Sequence, residues 1–285
     1  MTKVALSGST GFVGSNIKQS LQDKGYQVIP VGRTDFKESA EDLAAKLAGS
    51  EVIIHLAGAP IVKRWTESYK KELYHSRIDT TSHLVASIKA MKVKPSLFLS
   101  TSAIGIYQDD REHTEESEAY NTGFMGKICN DWEAHANAAS PYTRVVIFRL
   151  GVVLGKGGGA LQTMLPLFKM GLGGKIGSGK QGFSWIHLAD LVRAYHFMIE
   201  NKSLSGVFNL TSPQPVSNAE FTRQLAKELH RPALFPVPPL ALKILYGEGA
   251  QSLTSGSFVR PKRLIQSSYK FDFPTIDKAL RDIVK

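Results

Sequence analysis

The chain has 285 residues, enough for one large domain or for a nucleotide-binding domain with a smaller lobe. Hydrophobic residues make up 42% and charged residues 21%, as in soluble globular proteins, and no apolar run approaches the roughly 20 residues that span a bilayer. The net charge of +10 comes from scattered Lys and Arg residues without interleaved aromatics, so we expect neither a nucleic-acid nor a membrane partner.

Short apolar strands alternate with helical segments through the first half of the chain. The predicted strands are Val4–Ser7, Gln27–Val31, Glu51–His55, Ser96–Ser100 and Arg144–Leu150. The predicted helices between them are Gly14–Lys24, Asp42–Leu47, Ser68–Met91 and Phe124–Ala139. This alternation predicts an α/β fold, a Rossmann-type doubly wound parallel sheet with helices on both faces.

The pattern changes after Gly151, where glycine-rich loops flank an apolar helix. The remaining predicted elements are helices over Leu161–Met170, Leu188–Glu200, Ser217 to about His230 and Pro274–Lys285, a strand at Gly206–Leu210 and a bend at Pro232–Pro239. We therefore predict an NAD(P)-binding domain over residues 1–155 and a smaller C-terminal α/β lobe over residues 156–285. Residues 185–210 are expected to return to the first domain.

A glycine-rich turn follows the first strand and opens the first helix. Its glycines permit a tight turn and let the backbone approach a pyrophosphate, while the helix N-terminus offers unpaired N–H groups. The strand–turn–helix context that this motif requires is present. The segment predicts a dinucleotide site formed by Gly8, Thr10, Gly11, Phe12, Val13 and Gly14.

The second predicted strand ends at Gly32-Arg33. An acidic residue there would pair with the ribose hydroxyls of NAD, whereas an arginine can hold the 2′-phosphate of NADP. Arg33 therefore favours NADP(H) over NAD, although Asp35 is close in sequence and acts against that preference. A solvated surface charge is the alternative interpretation of Arg33.

Several further segments carry a family resemblance. They are His55–Ala59, Ser100–Tyr107, Arg149–Gly155 and Trp185–Leu191, together with Arg64-Trp65, Ser76-Arg77, Asp131-Trp132-Glu133 and Gly171–Gly174. With them the chain resembles, over essentially its whole length, the extended short-chain dehydrogenases/reductases of the NAD(P)-dependent epimerase/dehydratase family. More narrowly, it is similar to the atypical "epimerase family proteins" that carry a C-terminal domain of unknown function.

The resemblance implies where the cofactor lies. It would extend across the glycine-rich turn, Gly32-Arg33 and the segment Leu56-Ala57-Gly58. The resemblance also implies that the helix carrying Glu72 and Arg77 faces the cofactor. Five residues separate these two side chains, about 140° around a helix, so they need not share one contact. A surface ion pair remains the alternative for them.

The tyrosine–lysine pair usual in this superfamily is missing. No tyrosine is followed four residues later by a lysine, and alignment on Glu133 places Met125 and Cys129 at the two positions. Ser102 could still polarise a carbonyl oxygen or simply make a strand-end hydrogen bond, although an ungapped match to Tyr107 puts Ala103 there instead. Tyr107 could supply a phenol if a cation lay nearby, or it could line the core or the cleft. Cys129 could be a reactive thiol or a buried structural residue.

The substrate is not identified by any set of residues. Trp185 and His187 are predicted to line a cleft, with a structural role as the alternative for His187. The basic residues Arg260, Lys262 and Arg263 could hold a sugar nucleotide. The histidines show no metal-ligand spacing, and Cys129 is the single cysteine, so we expect no metal site and no disulfide.

The sequence therefore predicts a cytoplasmic NADP(H)-binding protein with a small-molecule substrate. One hypothesis is an oxidoreductase or epimerase-like enzyme acting on a carbonyl or hydroxyl compound. The other is a non-catalytic sensor or regulatory protein that binds NADP(H). The missing tyrosine–lysine pair favours the second hypothesis more than the fold does, and the sequence leaves the oligomeric state open.

Overall fold

A computed structural model describes all 285 residues. The strands are Lys3–Ser7 (β1), Gln27–Val31 (β2), Ser50–His55 (β3), Leu97–Ala103 (β4), Glu112–His113 (β5), Arg144–Leu150 (β6), Val152–Leu154 (β7), Gly182–Phe183 (β8), Trp185–His187 (β9), Gly206–Leu210 (β10), Val216–Ser217 (β11) and Phe258–Val259 (β12). The α-helices are Phe12–Asp23 (α1), Ala40–Leu47 (α2), Glu67–Ala90 (α3), Phe124–Asn137 (α4), Gly159–Lys169 (α5), Leu188–Glu200 (α6), Asn218–Leu229 (α7), Pro239–Tyr246 (α8), Gln251–Thr254 (α9), Lys262–Gln266 (α10) and Ile276–Val284 (α11).

Six parallel strands form the central sheet in the order β10-β6-β4-β3-β1-β2. The strand order reverses beside β1, because β2 lies on one side of it and β3 on the other. In open α/β sheets such a switch point leaves a crevice beyond the carboxyl ends of the strands, where ligands bind. The topology therefore places the candidate site at the ends of β1 and β3.

Alternating side chains of the central strands pack on the two faces of the sheet. On one face Val4 and Leu6 join a buried cluster with residues of α1 and α6. On the other face Ala5 joins a cluster with residues of α2, α3 and α4. This two-sided burial is typical of parallel sheets, and it confirms the predicted doubly wound Rossmann-type architecture.

The C-terminal half contributes to the same core. β10 pairs with β6 in the central sheet, and Leu264 and Tyr269 are buried in the cluster that contains Val4 and Leu6. A third apolar cluster joins α5, α7 and α11. The second half is therefore packed on the central sheet through buried side chains.

Some elements differ from the sequence-based expectations. The strand expected to end at Ser100 continues to Ala103. The proline-rich bend at 232–239 leads into α8, which has Pro239 in its first turn, where the missing N–H of proline costs no hydrogen bond. None of the helices combines the length and the apolar character that crossing a membrane requires.

Candidate cofactor-binding site

The glycine-rich turn lies where β1 meets α1 and touches the end of β3. Gly8 has φ +71°, and a Cβ there would lie 2.9 Å from the carbonyl carbon of Leu56. A Cβ at Gly14 would lie 2.1 Å from the Gly8 carbonyl oxygen. These two glycines are required by the left-handed turn and by the close approach of helix and strand, as the sequence predicts.

Gly11 has a different role from its two neighbours in the motif. It is exposed, and a Cβ there would lie 3.5 Å from the nearest atom, the Gly8 carbonyl oxygen. It is the N-cap of α1, and no side chain caps the helix. The first N–H groups of the helix, including those of Phe12 and Val13, are therefore not engaged by a capping side chain and are available to an anion beside exposed Thr10.

The Phe12 side chain closes one edge of the turn. Ideal Cβ positions at Gly158 and Gly155 would lie 2.2 Å and 3.1 Å from its ring. The glycine-rich loop after β7 therefore packs directly on the phenyl group. Phe12 can present only its backbone to a phosphate, because its side chain is engaged by this loop.

Arg33 and Asp35, which follow β2, differ in their surroundings. The Gly32 N–H donates to one oxygen of the Asp35 carboxylate at 2.6 Å, and the Lys46 ammonium donates to the other at 2.5 Å. Burial opposes the charge, but these two donors hold the pKa of Asp35 below its ordinary value. Arg33 is exposed beside them. Arg33 is thus free to bind a ligand, while the charge of the Asp35 carboxylate is balanced by Lys46.

The segment after β3 borders the turn from the other side. The Leu56 N–H donates to the Ser7 side chain, and Gly8 lies against the backbone of Leu56 and Ala57. Gly58 is exposed just beyond them. The structure thus brings the predicted residues of this segment and of the glycine-rich turn together in one crevice.

Arg77 does not offer its guanidinium to a cofactor, contrary to our expectation. The side chain is 6% exposed, and it donates to the carbonyls of Ala59 and Leu73 at 2.9 and 3.0 Å. The group also lies over the Trp132 ring, 5.3 Å from the centroid. Arg77 therefore supports the loop after β3 from beneath, and the expected contact with a pyrophosphate or ribose is wrong.

Glu72 is exposed on α3, whereas Arg77 is buried on the same helix. The two residues lie on different faces, as their spacing requires. Because Arg77 is buried and donates to backbone carbonyls, the alternative of a surface ion pair between the two is also wrong. A cofactor contact by Glu72 stays a prediction.

Ser102 is also engaged inside the protein. It is 1% exposed, and its hydroxyl donates to a Glu133 carboxylate oxygen at 2.7 Å. The Arg149 guanidinium donates to both oxygens of the same carboxylate at 2.8 Å. A hydroxyl bound in this buried ion pair cannot polarise a substrate carbonyl, so the expected catalytic role of Ser102 is not compatible with this arrangement.

Tyr107 belongs to the same buried network. Its hydroxyl donates to Asn209 at 2.8 Å and accepts from Arg149 at 2.7 Å, and the residue is 1% exposed. The cation that a catalytic phenol would need is present, yet burial outweighs it and raises the pKa of Tyr107 to about 12. We therefore correct the proposed acid–base role of Tyr107 to a structural one.

The residues at the positions of the missing pair are apolar and adjoin the end of β4. The methyl group of Met125 lies 3.4 Å from an ideal Cβ on Gly105. Cys129 is 1% exposed, and burial, followed by the charge of Glu133, raises its pKa to about 12. Cys129 is therefore the buried structural thiol of the two alternatives, and nothing at these positions can shuttle a proton.

The two residues expected in a substrate cleft are both buried. Trp185 is fully buried in the apolar cluster between α5, α7 and α11, so it cannot touch a substrate. His187 is 5% exposed, and its Nδ1 accepts the Ala189 N–H at the start of α6. The expectation for Trp185 is therefore corrected. His187 borders a surface cavity together with Gly155, Lys156 and Asp282, and its Nε2 lies 3.4 Å from the Asp282 carboxylate, so a substrate contact by His187 stays a prediction.

The basic cluster near the C-terminus is used within the protein. Arg263 donates to the carbonyls of Ser205 and Val207, and its guanidinium lies 4.1 Å from the centre of the Phe208 ring. The charges of Arg260 and Lys262 lie 3.6 and 2.5 Å from the carboxylates of Glu112 and Glu116, respectively. This cluster therefore offers little positive charge to a sugar nucleotide.

The network formed by Glu133, Arg149 and Asn209 was not predicted. In the sequence, Glu133 and Arg149 lie in segments that carry the family resemblance, and Arg149 is also the next-to-last residue of a predicted apolar strand, but no contact between them was expected. A charged residue inside such a strand is itself a signal, because a buried charge requires a partner. Asn209 gives the same signal in β10.

Comparisons with known proteins agree with this geometry. Residues 4–211 match the model of the NAD dependent epimerase/dehydratase family, and residues 237–283 match a domain of unknown function, DUF1731. The chain is 37% identical to "Epimerase family protein SDR39U1" of Mus musculus, over 99% of each protein. It is 36% identical to the chloroplastic SDR39U1 homolog of Arabidopsis thaliana, over 99% of this chain and 86% of that one. The crystal structure of human SDR39U1 (isoform2) with NADPH superposes with a TM-score of 0.92 at 33% identity, over 99% of each chain.

Proposed function

The chain belongs to the NAD dependent epimerase/dehydratase family, and from that premise we propose that it binds NADP(H) at the switch point beside β1. The observation that carries the proposal is the arrangement of the two charged residues after β2. The Asp35 carboxylate is paired with Lys46 and the Gly32 N–H, whereas Arg33 is exposed. The human relative that was crystallised with NADPH supports the same cofactor.

The residues present fit a dinucleotide. The pyrophosphate would lie on the N–H groups of Phe12 and Val13, because that of Gly11 already donates to the Gly8 carbonyl, and the 2′-phosphate would lie beside Arg33. Leu56, Ala57 and Gly58 would border the half that extends toward β4. When bound, NADPH supplies a hydride. The protein's own contribution is to bind and orient that group, with Met125 and the buried Cys129 at the positions of the usual acid–base pair.

We propose an oxidoreductase rather than an epimerase. Epimerisation through a carbonyl needs a group that takes a proton from a hydroxyl and returns it, usually with the aid of a cation. Met125 and Cys129 occupy those positions, and Ser102 and Tyr107 are buried in hydrogen bonds. The same observation favours a second candidate function, a sensor that binds NADP(H) without reacting.

Calorimetry on cofactor-stripped protein tests the proposal. We expect heat with NADPH and a weaker affinity for NADH, and no heat with either dinucleotide would refute it. Gly11→Val should abolish binding of both, because its side chain would occupy the approach of the pyrophosphate. A Cβ is tolerated there, so we expect the variant to fold, with a free energy of unfolding lower by about 1 kcal/mol. Gln22→Val, at an exposed position near the end of α1, is the matched control.

Turnover distinguishes the two candidate functions. Absorbance at 340 nm reports oxidation of NADPH in the presence of aldehydes, ketones or quinones. Oxidation that depends on one of these compounds supports the oxidoreductase. Binding of NADPH without oxidation by any of them supports the sensor.

A further inference from the structure

The far end of the crevice has an apolar floor, which we define as Ala103, Ile104, Gly105, Phe124 and Met125. These five residues are partly accessible to solvent. They lie at or just after the end of β4 and at the start of α4. A dinucleotide whose adenine half lies at β2 and whose pyrophosphate lies at β1 extends toward β3 and β4. The apolar floor is therefore at the end of the site where the reacting ring would lie.

The apolar floor is continuous. Met125, Ala103 and Ile104 all pack against the small buried cluster that contains Tyr107 and Cys129. Met125 also packs, together with Phe124, against the cluster around Trp65. The ring centroids of Phe124 and Trp65 are 5.6 Å apart, in an edge-to-face arrangement. The surface thus combines aliphatic and aromatic groups, which suits a flat ring better than a hydroxylated sugar.

The polar groups around the apolar floor are already engaged. The hydroxyl of Ser102 is bound to Glu133, and that of Tyr107 to Asn209. The Lys127 ammonium, one turn along α4, is held by Asp131 at 2.6 Å. No residue of the apolar floor can donate a proton.

From this we propose that the apolar floor binds the ring of a quinone, which serves as the electron acceptor of the protein. The proposal rests on the proposed binding of NADP(H) and names the substrate class of that site. It differs from the general expectation of a carbonyl or hydroxyl substrate, because it selects the carbonyl compounds whose reduction needs no acid from the protein.

The chemistry of the product decides between the carbonyl classes. A quinone accepts two electrons and one hydrogen as hydride at one oxygen, and the other oxygen becomes a phenolate that takes a proton from water. A phenol has a pKa of about 10, so water protonates this anion at neutral pH. An ordinary ketone would give an alkoxide, whose conjugate acid is about as weak as water, with a pKa of about 15.7. Its formation requires an acid that this site lacks.

A binding measurement tests the proposal independently of turnover. We expect 2-methyl-1,4-naphthoquinone to bind to the protein saturated with NADP⁺, measured by calorimetry. Met125→Glu should weaken this binding by at least about tenfold, because the ring would have to desolvate a carboxylate in order to lie on the apolar floor. Met125→Leu, which conserves the volume and apolarity, should retain it. Asn130→Glu adds the same charge at an exposed position of α4 and is the matched control.

The outcomes separate this inference from the proposed function. The unmodified protein and each variant are first titrated with NADPH. If the unmodified protein does not bind NADPH, the proposed function is refuted. Binding of NADPH without binding of the quinone would refute only the quinone site. Equal affinities in Met125→Glu and Asn130→Glu would also overturn it, as would oxidation of NADPH by an aliphatic ketone at the rate seen with the quinone.

Discussion

Arg33 and Asp35 lie two residues apart at the end of β2, and only Arg33 keeps its charge free for a ligand. The Asp35 carboxylate accepts hydrogen bonds from the Gly32 N–H and from Lys46. An acid in this region would otherwise repel a 2′-phosphate. Its internal pairing explains how a sequence with both charges can still favour NADP(H).

Arg33→Ala should therefore weaken NADPH far more than NADH. Loss of a charge-assisted bond to a phosphate costs about 2 kcal/mol, or roughly thirtyfold in affinity. Calorimetric titration with both dinucleotides measures the difference. Arg223→Ala removes the same charge from an exposed position of α7 and should change neither affinity. Equal losses for the two dinucleotides in Arg33→Ala would show that Arg33 does not bind the 2′-phosphate.

His55 makes the stability of the protein depend on pH. It lies fully buried at the end of β3, with Nδ1 2.6 Å from the Ser7 hydroxyl and Nε2 3.0 Å from that of Thr81. Burial, followed by the charge of Arg77, lowers its pKa to about 3. In the unfolded chain the pKa is about 6.5, so below that pH the unfolded state takes up a proton that the folded state refuses.

We expect the free energy of unfolding to fall by about 2 kcal/mol from His55 alone between pH 7 and pH 5, following about 1.36 kcal/mol for each unit below the unfolded pKa. Urea denaturation at the two pH values measures this. His55→Gln should remove that part of the dependence, whereas His75→Gln, at an exposed position of α3, serves as control. An unchanged pH dependence in His55→Gln would contradict the assignment.

At the scale of elements, the junction of β1 and α1 depends on glycines of two kinds. Gly14 is needed for packing, since a Cβ there would lie 2.1 Å from the Gly8 carbonyl oxygen. Gly11 is needed for access, since a Cβ there makes only ordinary contact, at 3.5 Å. One motif thus separates into a position that stabilises the fold and a position that keeps the anion site open.

Gly14→Ala should lower the free energy of unfolding by about 2–3 kcal/mol, because α1 must move away from the turn. Gly11→Ala should lower it by less than about 1 kcal/mol, the difference between the two residues at a helix N-cap. Chemical denaturation of the two variants measures both values. Equal stabilities would show that the close packing of helix and strand does not require glycine.

At the scale of the whole molecule, the C-terminal segment completes the core of the nucleotide-binding sheet. Leu264 is fully buried with Val4 and Leu6, and the Tyr269 hydroxyl donates to the Asp190 carbonyl at the start of α6. The Arg260 carbonyl accepts a hydrogen bond from the side chain of Asn209 in β10, and the Val259 carbonyl accepts one from Thr211 just after β10. These contacts connect the segment matched by DUF1731 to the fold itself.

We therefore expect a single unfolding transition for the full chain. Leu264→Ala should lower the stability of that transition by about 2–5 kcal/mol, the usual cost of a cavity in a core. The neighbouring Ile265 is 50% exposed, so Ile265→Ala should change it little. Two transitions in calorimetry, with only one affected by Leu264→Ala, would show that the C-terminal segment unfolds separately.

The sequence by itself determined the alternating elements, the glycine-rich turn, Arg33 and the absence of the tyrosine–lysine pair. Each of these depends on residues that are neighbours in the chain or one helical turn apart. Their geometry follows from local backbone conformation, which is why periodicity and spacing were sufficient to predict them.

Only the tertiary structure decided which polar residues at the strand ends face a ligand. Tyr107 is hydrogen-bonded to Asn209, Ser102 to Glu133, and Arg77 to the Ala59 carbonyl in the loop after β3. The first pair of residues lies 102 positions apart in the chain. Burial is a property of elements that pack together from distant parts of the sequence, so local patterns could not show that these side chains bind to each other instead of to a substrate.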